Sequence, residues 1–417
     1  MGLALSPQSL YSYLAFRFTP IMKTIFTGIL IITLSLNFDS FCIKPPEKVQ
    51  TDIQKAAEAT LRKQILAEAD WAMEQAPVTV TAAYSTRSAG GLHDFFSEAD
   101  YFWQDPANPD GPYINRDGMT NPNNFVEHRK AMVRLSKIIG ALASAWKLTG
   151  DEKYVKNAVQ HLWMWFINPE TLMNPNLQFA QAVKGKFTGS NYGIIDSIHL
   201  MEVAQGIIVM ENSKSMDAET LAGLKSWFAD YINWLTTSKP GIEEKRSKNN
   251  HSTCWAMQVA SFASLCEERQ TLDSVRQMYK AVLLPRQMAT DGSFPLELER
   301  TKPYGYSLFN LDAMATLCQI LSTPEDNLWN YETPEGKSIK KGIDFLYPFV
   351  ADKSKWPRKP DVMYHDNWPI AQPFLLFGAN AFREVIWLKT WERLDHNPQV
   401  EEVLRNLPIR HPLIWMQ

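Results

Sequence analysis

Apolar residues recur at steps of three and four along most of this chain, and polar breaks carrying Pro or Gly cut the pattern into paired segments. Met132, Leu135, Ile139, Leu142 and Trp146 fall on one face of a helix that Gly150 stops. Asp151 then caps a second helix with Tyr154, Val155, Ala158, Leu162 and Trp165 inward, and Asn168-Pro169 ends it. The two make a helical hairpin. The same punctuation predicts helices over 195–210, 218–235, 252–268, 272–289, 307–321, 338–347, 373–389 and 399–407. No region alternates with period two over several consecutive segments, which argues against a sheet core. The expected fold is all-α: an α/α toroid, an incomplete barrel of antiparallel helical hairpins. Such a barrel gathers the loops at one end of its helices into a cleft. Residues 90–124, rich in Gly, Pro, Asp and aromatics without helical period, read as an ordered loop laid over that cleft.

A chain of 417 residues, 45% hydrophobic and 12% aromatic, has the material for a large core. Its formal net charge of −3, without long basic runs, argues against a nucleic-acid partner. Near the N-terminus, Met22-Lys23 precedes an apolar stretch from Ile25 to Leu36, too short for a bilayer span and right for a secretory signal. Residues 1–42 therefore read as an N-terminal extension and signal peptide, with Met22 as an alternative start, and 43–417 as a single domain. Export to the periplasm or cell surface is expected, with Cys42 a candidate lipid anchor. No later segment has 18 uninterrupted apolar residues, so no transmembrane span is expected. Cys254, Cys266 and Cys318 lack CxxC spacing and read as buried thiols.

Two polar segments carry candidate chemistry. In Lys248-Asn249-Asn250-His251-Ser252-Thr253-Cys254-Trp255, amides and an imidazole sit immediately before an apolar helix. Helix N-terminal N–H groups and Asn side chains are good hosts for a carboxylate; taken alone, the run also reads as an Asn cap with an incidental His. The segment from Asp291 to Ser307, with Glu297, Glu299, Arg300, Tyr304 and Tyr306, follows about fifty-five residues later and combines acidic, basic and phenolic groups; taken alone, it also reads as an Arg–Glu salt bridge with Tyr packing. One helical hairpin separates the two, so both can open onto one rim. His93, Asp94 and Glu98 match no zinc or calcium loop spacing.

Several motifs in one order resemble the alginate-lyase superfamily of α/α-toroid polysaccharide lyases, nearest to polysaccharide lyase family 38. They are Gly90-Gly91-Leu92-His93-Asp94, Asp100-Tyr101-Phe102-Trp103, Gly111-Pro112-Tyr113-Ile114-Asn115-Arg116-Asp117-Gly118, Asn174-Pro175-Asn176-Leu177-Gln178-Phe179-Ala180-Gln181, Gly193 to His199, the Asn-Asn-His run, and Glu297-Leu298-x-Arg300-Thr301 with Tyr306. The resemblance implies β-elimination on a 4-linked uronic-acid glycan, alginate or glucuronan, with an anionic polysaccharide as partner and no metal or organic cofactor.

Such an elimination removes the C5 proton, stabilises the enolate-like carboxyl group and protonates the departing O4. Asn250, His251 and Gln181 are the expected carboxylate donors. Arg300 is expected either to bind the uronate or to lower the phenol pKa of Tyr306, since an ordinary phenol at about 10 is a poor base near neutrality. Where the C5 proton and O4 lie on one side, Tyr306 serves as base and then acid; for the opposite arrangement His251 or His199 is the candidate base. Asn249, Glu297, Tyr304, Arg116, Trp103, Tyr113, His93 and His365 are the candidate substrate contacts. Two rival readings stand beside this one. An inverting glycoside hydrolase would need two carboxylates roughly 6.5–9.5 Å apart, with Glu297 and Asp117 as partners; a non-catalytic glycan-binding protein would need none. The residues leave uronate epimer, endo or exo action and oligomeric state open.

Overall fold

In the computed structural model, which describes residues 51–416, the apolar periodicity becomes a ring of helices. The signal segment, the alternative start at Met22 and Cys42 lie outside the described residues. The described chain opens with α1 (Asp52–Met73), where Thr51 and Gln54 form a reciprocal capping box. Strands β1 (Phe96–Glu98), β2 (Phe102–Trp103) and β3 (Ile114–Asn115) precede the hairpin of α2 (Glu127–Thr149) and α3 (Glu152–Phe166). Strand β4 (Phe179–Ala182) and a 3-10 turn over Asn191–Ser197 lead into α4 (Leu200–Met210), α5 (Ala218–Thr237), α6 (Lys239–Lys245) and α7 (Asn250–Leu265). After α8 (Arg269–Met278) come the short α9 (Leu284–Gln287) and α10 (Pro295–Leu298). The last third holds α11 (Pro303–Leu321), α12 (Ile339–Ala351), α13 (Pro373–Phe382), α14 (Val385–Trp391) and α15 (Glu401–Arg405).

Helix α1 packs on α2, α2 on α4, α4 on α7, α7 on α11, α11 on α13, and α13 back on α1, which closes an inner ring. Helices α3, α5, α8, α12 and α14 pack against it as an outer layer. Burial follows that division. Nearly every residue of α11 is buried, whereas α8 buries Val275 alone. A helix apolar all round belongs inside a core, and an amphipathic one on its outside.

Several elements differ from expectation for identifiable reasons. Helix α1 was not anticipated, because alanines at Ala57, Ala69 and Ala72 dilute the apolar stripe made by Ile53, Leu61 and Ile65. The expected 272–289 helix divides at a π turn over Tyr279–Leu283, just before Pro285 removes a backbone donor. The 373–389 helix breaks at Arg383, in left-handed conformation at φ 59°. Helix α11 begins at Pro303, earlier than read, with proline in the first turn where its missing N–H costs nothing. Strands appear after all, as two short ribbons rather than a core: β1 pairs in parallel with β4, and β2 pairs antiparallel with β3, Phe102 opposite Asn115 and Trp103 opposite Ile114. Cys254 and Cys318 are buried thiols as expected, while Cys266 is partly exposed. Among the described residues no single helix is long and apolar enough to cross a membrane.

Candidate active site

A cleft of about 460 Å³ opens where α7 and α11 begin. Asn249, Asn250 and His251 line it from the start of α7, and Arg300, Tyr306 and Phe309 from the start of α11 and the turn before it. The facing wall comes from the 90–124 segment, through Asp100, Tyr101, Phe102, Asn115 and Asp117, and from Gln181, Tyr192, Arg405 and Asn406. The two polar segments thus share one cleft, and the 90–124 segment borders it.

Tyr306 is 7% exposed, and its hydroxyl donates to the hydroxyl of Tyr101 at 2.9 Å. The Arg300 guanidinium lies 4.5 Å from the centre of the Tyr306 ring. Arg300 also donates two hydrogen bonds to Asp117, Nε to Oδ2 at 3.1 Å and Nη2 to Oδ1 at 2.6 Å. Burial would raise the Asp117 carboxyl, but the hydrogen bonds and charge of Arg300 hold it below its usual range. For Tyr306 the balance runs the other way. Burial and the neighbouring Tyr101 push its phenol well above the ordinary value, against the pull of Arg300. Arg300 does pull the phenol down, one of the two roles expected of it, but burial and Tyr101 outweigh that pull and the net shift is upward. Tyr306 is a protonated phenol in the resting cleft.

His251 is anchored on a buried carboxylate. Burial would lower its pKa, but Glu244, fully buried, sits with Oε1 2.5 Å from Nδ1 and raises it. Asn191 donates to the other Glu244 oxygen at 2.9 Å. The edge of Tyr192 meets the imidazole, ring centres 5.1 Å apart, and both residues line the cleft. Beside it, Asn250 donates to Glu297 through its backbone N–H at 2.8 Å and through Nδ2 at 3.2 Å. One amide hydrogen remains free, and the buried Oδ1 has no partner. Burial raises the pKa of Glu297 despite these donors. Gln181 holds a left-handed backbone, φ 48°, which a non-glycine residue occupies at a cost of about 1–3 kcal/mol. Its N–H donates to Ser97 at 2.9 Å and its Nε2 to Asp196 at 2.9 Å.

Other candidates lie elsewhere. Glu297 is buried behind Asn250 and orients it rather than lining the cleft. His199 is fully buried, its pKa held well down by burial and by Arg410 and Arg129; it does not line the cleft and cannot meet a C5 proton there. Tyr304 is wholly buried, donates to the Phe349 carbonyl at 3.0 Å and packs on Trp356, facing away from the chemistry. His365 packs edge-on against that Tyr304 ring and accepts from the Asp361 N–H at 3.3 Å, outside the cleft. His93 is engaged through Nδ1 with the Leu172 carbonyl at 2.7 Å and does not reach the cleft either. Trp103, Tyr113 and Arg116 stand on or beside the β2–β3 ribbon next to the cleft, Arg116 stacked 5.3 Å over Trp103.

Sequence reasoning passed over Tyr101, Glu244, Tyr192 and Arg405. Arg405 donates to the Tyr101 hydroxyl at 3.3 Å and pairs with Asp100 and Glu402, each at 3.1 Å. Tyr101 sits within a quoted motif and was legible in part. Glu244 stands seven residues before His251, on a different helix, and nothing local marks it as the imidazole's partner.

An inner-ring toroid whose cleft sets a carboxylate-anchored imidazole and amides beside a buried phenol defines a helical polysaccharide lyase. The alginate lyase family model matches residues 79–356, and the chain belongs to that family. Among solved structures, an alginate lyase from Bacteroides ovatus aligns at 31% identity with TM-score 0.76, over 87% of this chain and 96% of that one. Alginate lyase A1-III from Sphingomonas species A1 aligns at 14% identity with TM-score 0.52, over 78% of this chain and 88% of its own, and shares the fold. A variant of that enzyme complexed with a tetrasaccharide aligns equally well. A comparison with curated proteins finds no match.

Proposed function

We propose that this chain is an exported enzyme that cleaves 4-linked polyuronate, alginate first, by β-elimination to leave unsaturated uronate ends. The observation that carries the reading is the pairing in one cleft of Tyr306, a buried phenol, with His251, an imidazole anchored on the Glu244 carboxylate that raises its pKa. The imidazolium, the free amide hydrogen of Asn250 and the Gln181 amide receive the uronate carboxyl group, where negative charge accumulates as the C5 proton leaves. Tyr306 then delivers a proton to the departing O4. The C5 proton passes through the same oxygen: Tyr306 releases its phenol proton to solvent as substrate docks, takes the C5 proton as a phenolate and hands it on to O4, so one proton moves from C5 to O4 while the C4–O4 bond breaks and the C4=C5 bond forms. With His251 acting as the carboxylate's cation and His199 outside the cleft, no histidine is assigned the base role.

The hydrolase alternative loses support from the same geometry. Asp117 is held by Arg300 and Thr301, and Glu297 lies behind Asn250, so the two carboxylates do not flank an open space for a water. The deciding measurement is the ultraviolet absorbance of unsaturated uronate across alginate, its separated mannuronate and guluronate blocks, glucuronan and a pectic control. Absorbance rising on at least one polyuronate is expected; reducing ends without absorbance would mean hydrolysis, and binding without product a glycan-binding protein. Because His251 and Asn250 neutralise the carboxylate in this scheme, exhaustive chelation is expected to leave turnover intact.

A further inference from the structure

The cations inside the cleft are already committed. Arg300 is paired with Asp117, and Arg405 with Asp100 and Glu402. A polyuronate carries one carboxylate per sugar, so a chain extending beyond the reacting residue needs cations that no protein carboxylate has claimed. Lys184 and Lys186 are two such cations beside the cleft, Arg116 over Trp103 being another. The two lysines form no ion pair with any described carboxylate; their ammonium groups instead lie over aromatic rings, 5.8 Å from the centre of Tyr113 and 5.2 Å from that of Phe102. The nearby Arg87 differs, because Glu98 binds it through both oxygens, at 2.7 and 2.5 Å.

The segment bearing the two lysines is fixed in place. Val183 and Phe187 bridge as a tight antiparallel hairpin, each N–H donating to the other's carbonyl, at 2.9 and 3.2 Å. Gly185 turns it at φ +74°, and a Cβ there would come within 2.9 Å of the Pro112 backbone. The Tyr113 N–H donates to the Lys184 carbonyl at 3.1 Å, docking the hairpin on the loop that delivers Asn115 and Asp117 to the cleft. Beside it runs a second groove of about 470 Å³, lined by Arg87, Lys184, Lys186 and Phe187 among others. Phe187, 39% exposed, also lines the catalytic cleft and is the wall the two share.

We propose that this groove is a distal subsite for a second stretch of the anionic glycan, with Lys184 and Lys186 meeting its carboxylates and Phe187 giving a flat apolar face to a sugar ring. The proposal rests on the polyuronate reading above. It makes the enzyme sensitive to substrate length and to salt, since exposed charge pairs are screened beyond about 8–10 Å at physiological ionic strength.

The test uses K184Q/K186Q, which alters exposed side chains on a hairpin held by its backbone. Elimination is followed on polymeric substrate and on a trisaccharide, at low and high salt, and retention of each protein is measured in native gels cast with polyuronate or with a neutral glucan. With two exposed charge contacts removed, kcat/KM on polymer is expected to fall about twofold to thirtyfold at low salt. The gap from wild type should narrow on the trisaccharide and at high salt, and polyuronate retention should weaken. Equal kcat/KM on polymer and equal retention would overturn the subsite while leaving the lyase reading intact. If wild type eliminates no polyuronate, the lyase reading fails, and gel retention alone decides the groove: retention by wild type but not by the variant supports it, and equal or absent retention overturns it.

Discussion

The two walls of the cleft are built by different means. On one side, Asn249, Asn250, His251 and Tyr306 sit at the first turns of α7 and α11, two adjacent and almost wholly buried helices. Their positions follow from where each helix starts. The facing wall gathers Asp100, Tyr101, Asp117, Gln181 and Arg405 from segments scattered along the chain, held by buried charges: Arg129 bonds both Asp100 oxygens at 2.8 and 2.7 Å, Arg405 reaches Asp100 at 3.1 Å, and Lys302 meets Glu402 at 2.7 Å. Breaking such a pair leaves a buried charge uncompensated, at about 3–5 kcal/mol. The helix-borne wall supplies the reacting and charge-neutralising groups, and the loop-borne wall sets the environment in which Tyr306 holds its proton.

That division predicts that substitutions on the helix-borne wall cost the most rate. Tyr306→Phe removes one oxygen and keeps the ring, so thermal unfolding should change little while kcat falls by about 10²–10⁴-fold, the usual worth of a positioned proton donor. Elimination rates near wild type would mean that the proton is handled elsewhere.

His251→Ala is expected next, with a loss of about 10²–10³-fold by analogy with removal of an oxyanion-hole donor. Its carboxylate partner gives a sharper readout. Glu244 raises the His251 pKa, so the imidazolium persists to higher pH than an ordinary histidine would allow. In Glu244→Gln that support is gone, and the alkaline limb of the kcat/KM profile should move toward acid. A profile unmoved on that limb would show that the charge on His251 is not what the reaction uses.

Tyr101→Phe probes the opposite wall and should cost less. It removes the oxygen to which Tyr306 and Arg405 donate; the hydrogen bond from the reacting Tyr306 is worth about 0.5–1.5 kcal/mol, so kcat should drop about twofold to tenfold. Since Tyr101 raises the Tyr306 pKa, losing its hydroxyl should shift any ionisation of Tyr306 in the pH profile downward, while burial still keeps it above the ordinary phenol. A loss as large as that of Tyr306→Phe would instead make Tyr101 a reacting group and erase the difference between the walls.

The same contrast governs what the sequence could reveal. The helix-borne wall was legible because each part occupies a short polar run before an apolar stretch: the Asn-Asn-His segment opens α7, and Arg300 with Tyr306 flanks the start of α11. The loop-borne wall was legible as a border to the cleft but not in its connections. Arg405 lies some three hundred residues from Tyr101, and an ion network of that span leaves no local periodicity. His199 failed for the converse reason: a polar residue inside a motif marks a place in the fold, and burial decides whether it meets solvent. The toroid followed from spacing, while α1 escaped because alanine buries well and signals weakly.

Tyr304 gives the smallest effect and separates position from chemistry most cleanly. It stands two residues from Tyr306, at the start of the same helix, where Asp361 accepts the Tyr304 and Gly305 N–H groups at 2.9 and 2.8 Å and fixes the first turn. Two residues along a helix turn a side chain by roughly 200°, so as Tyr306 faces the cleft, Tyr304 faces the Phe349 carbonyl and Trp356. Tyr304→Phe leaves a part-buried acceptor without its donor, a stability cost of about 1–3 kcal/mol visible in chemical denaturation. The elimination rate at temperatures where the variant is folded should stay within about twofold of wild type, because no atom that is lost lines the cleft. If Tyr304→Phe abolished elimination and Tyr306→Phe retained it, the helix-borne wall would still hold the chemistry, but the reacting phenol would be on the other face of α11.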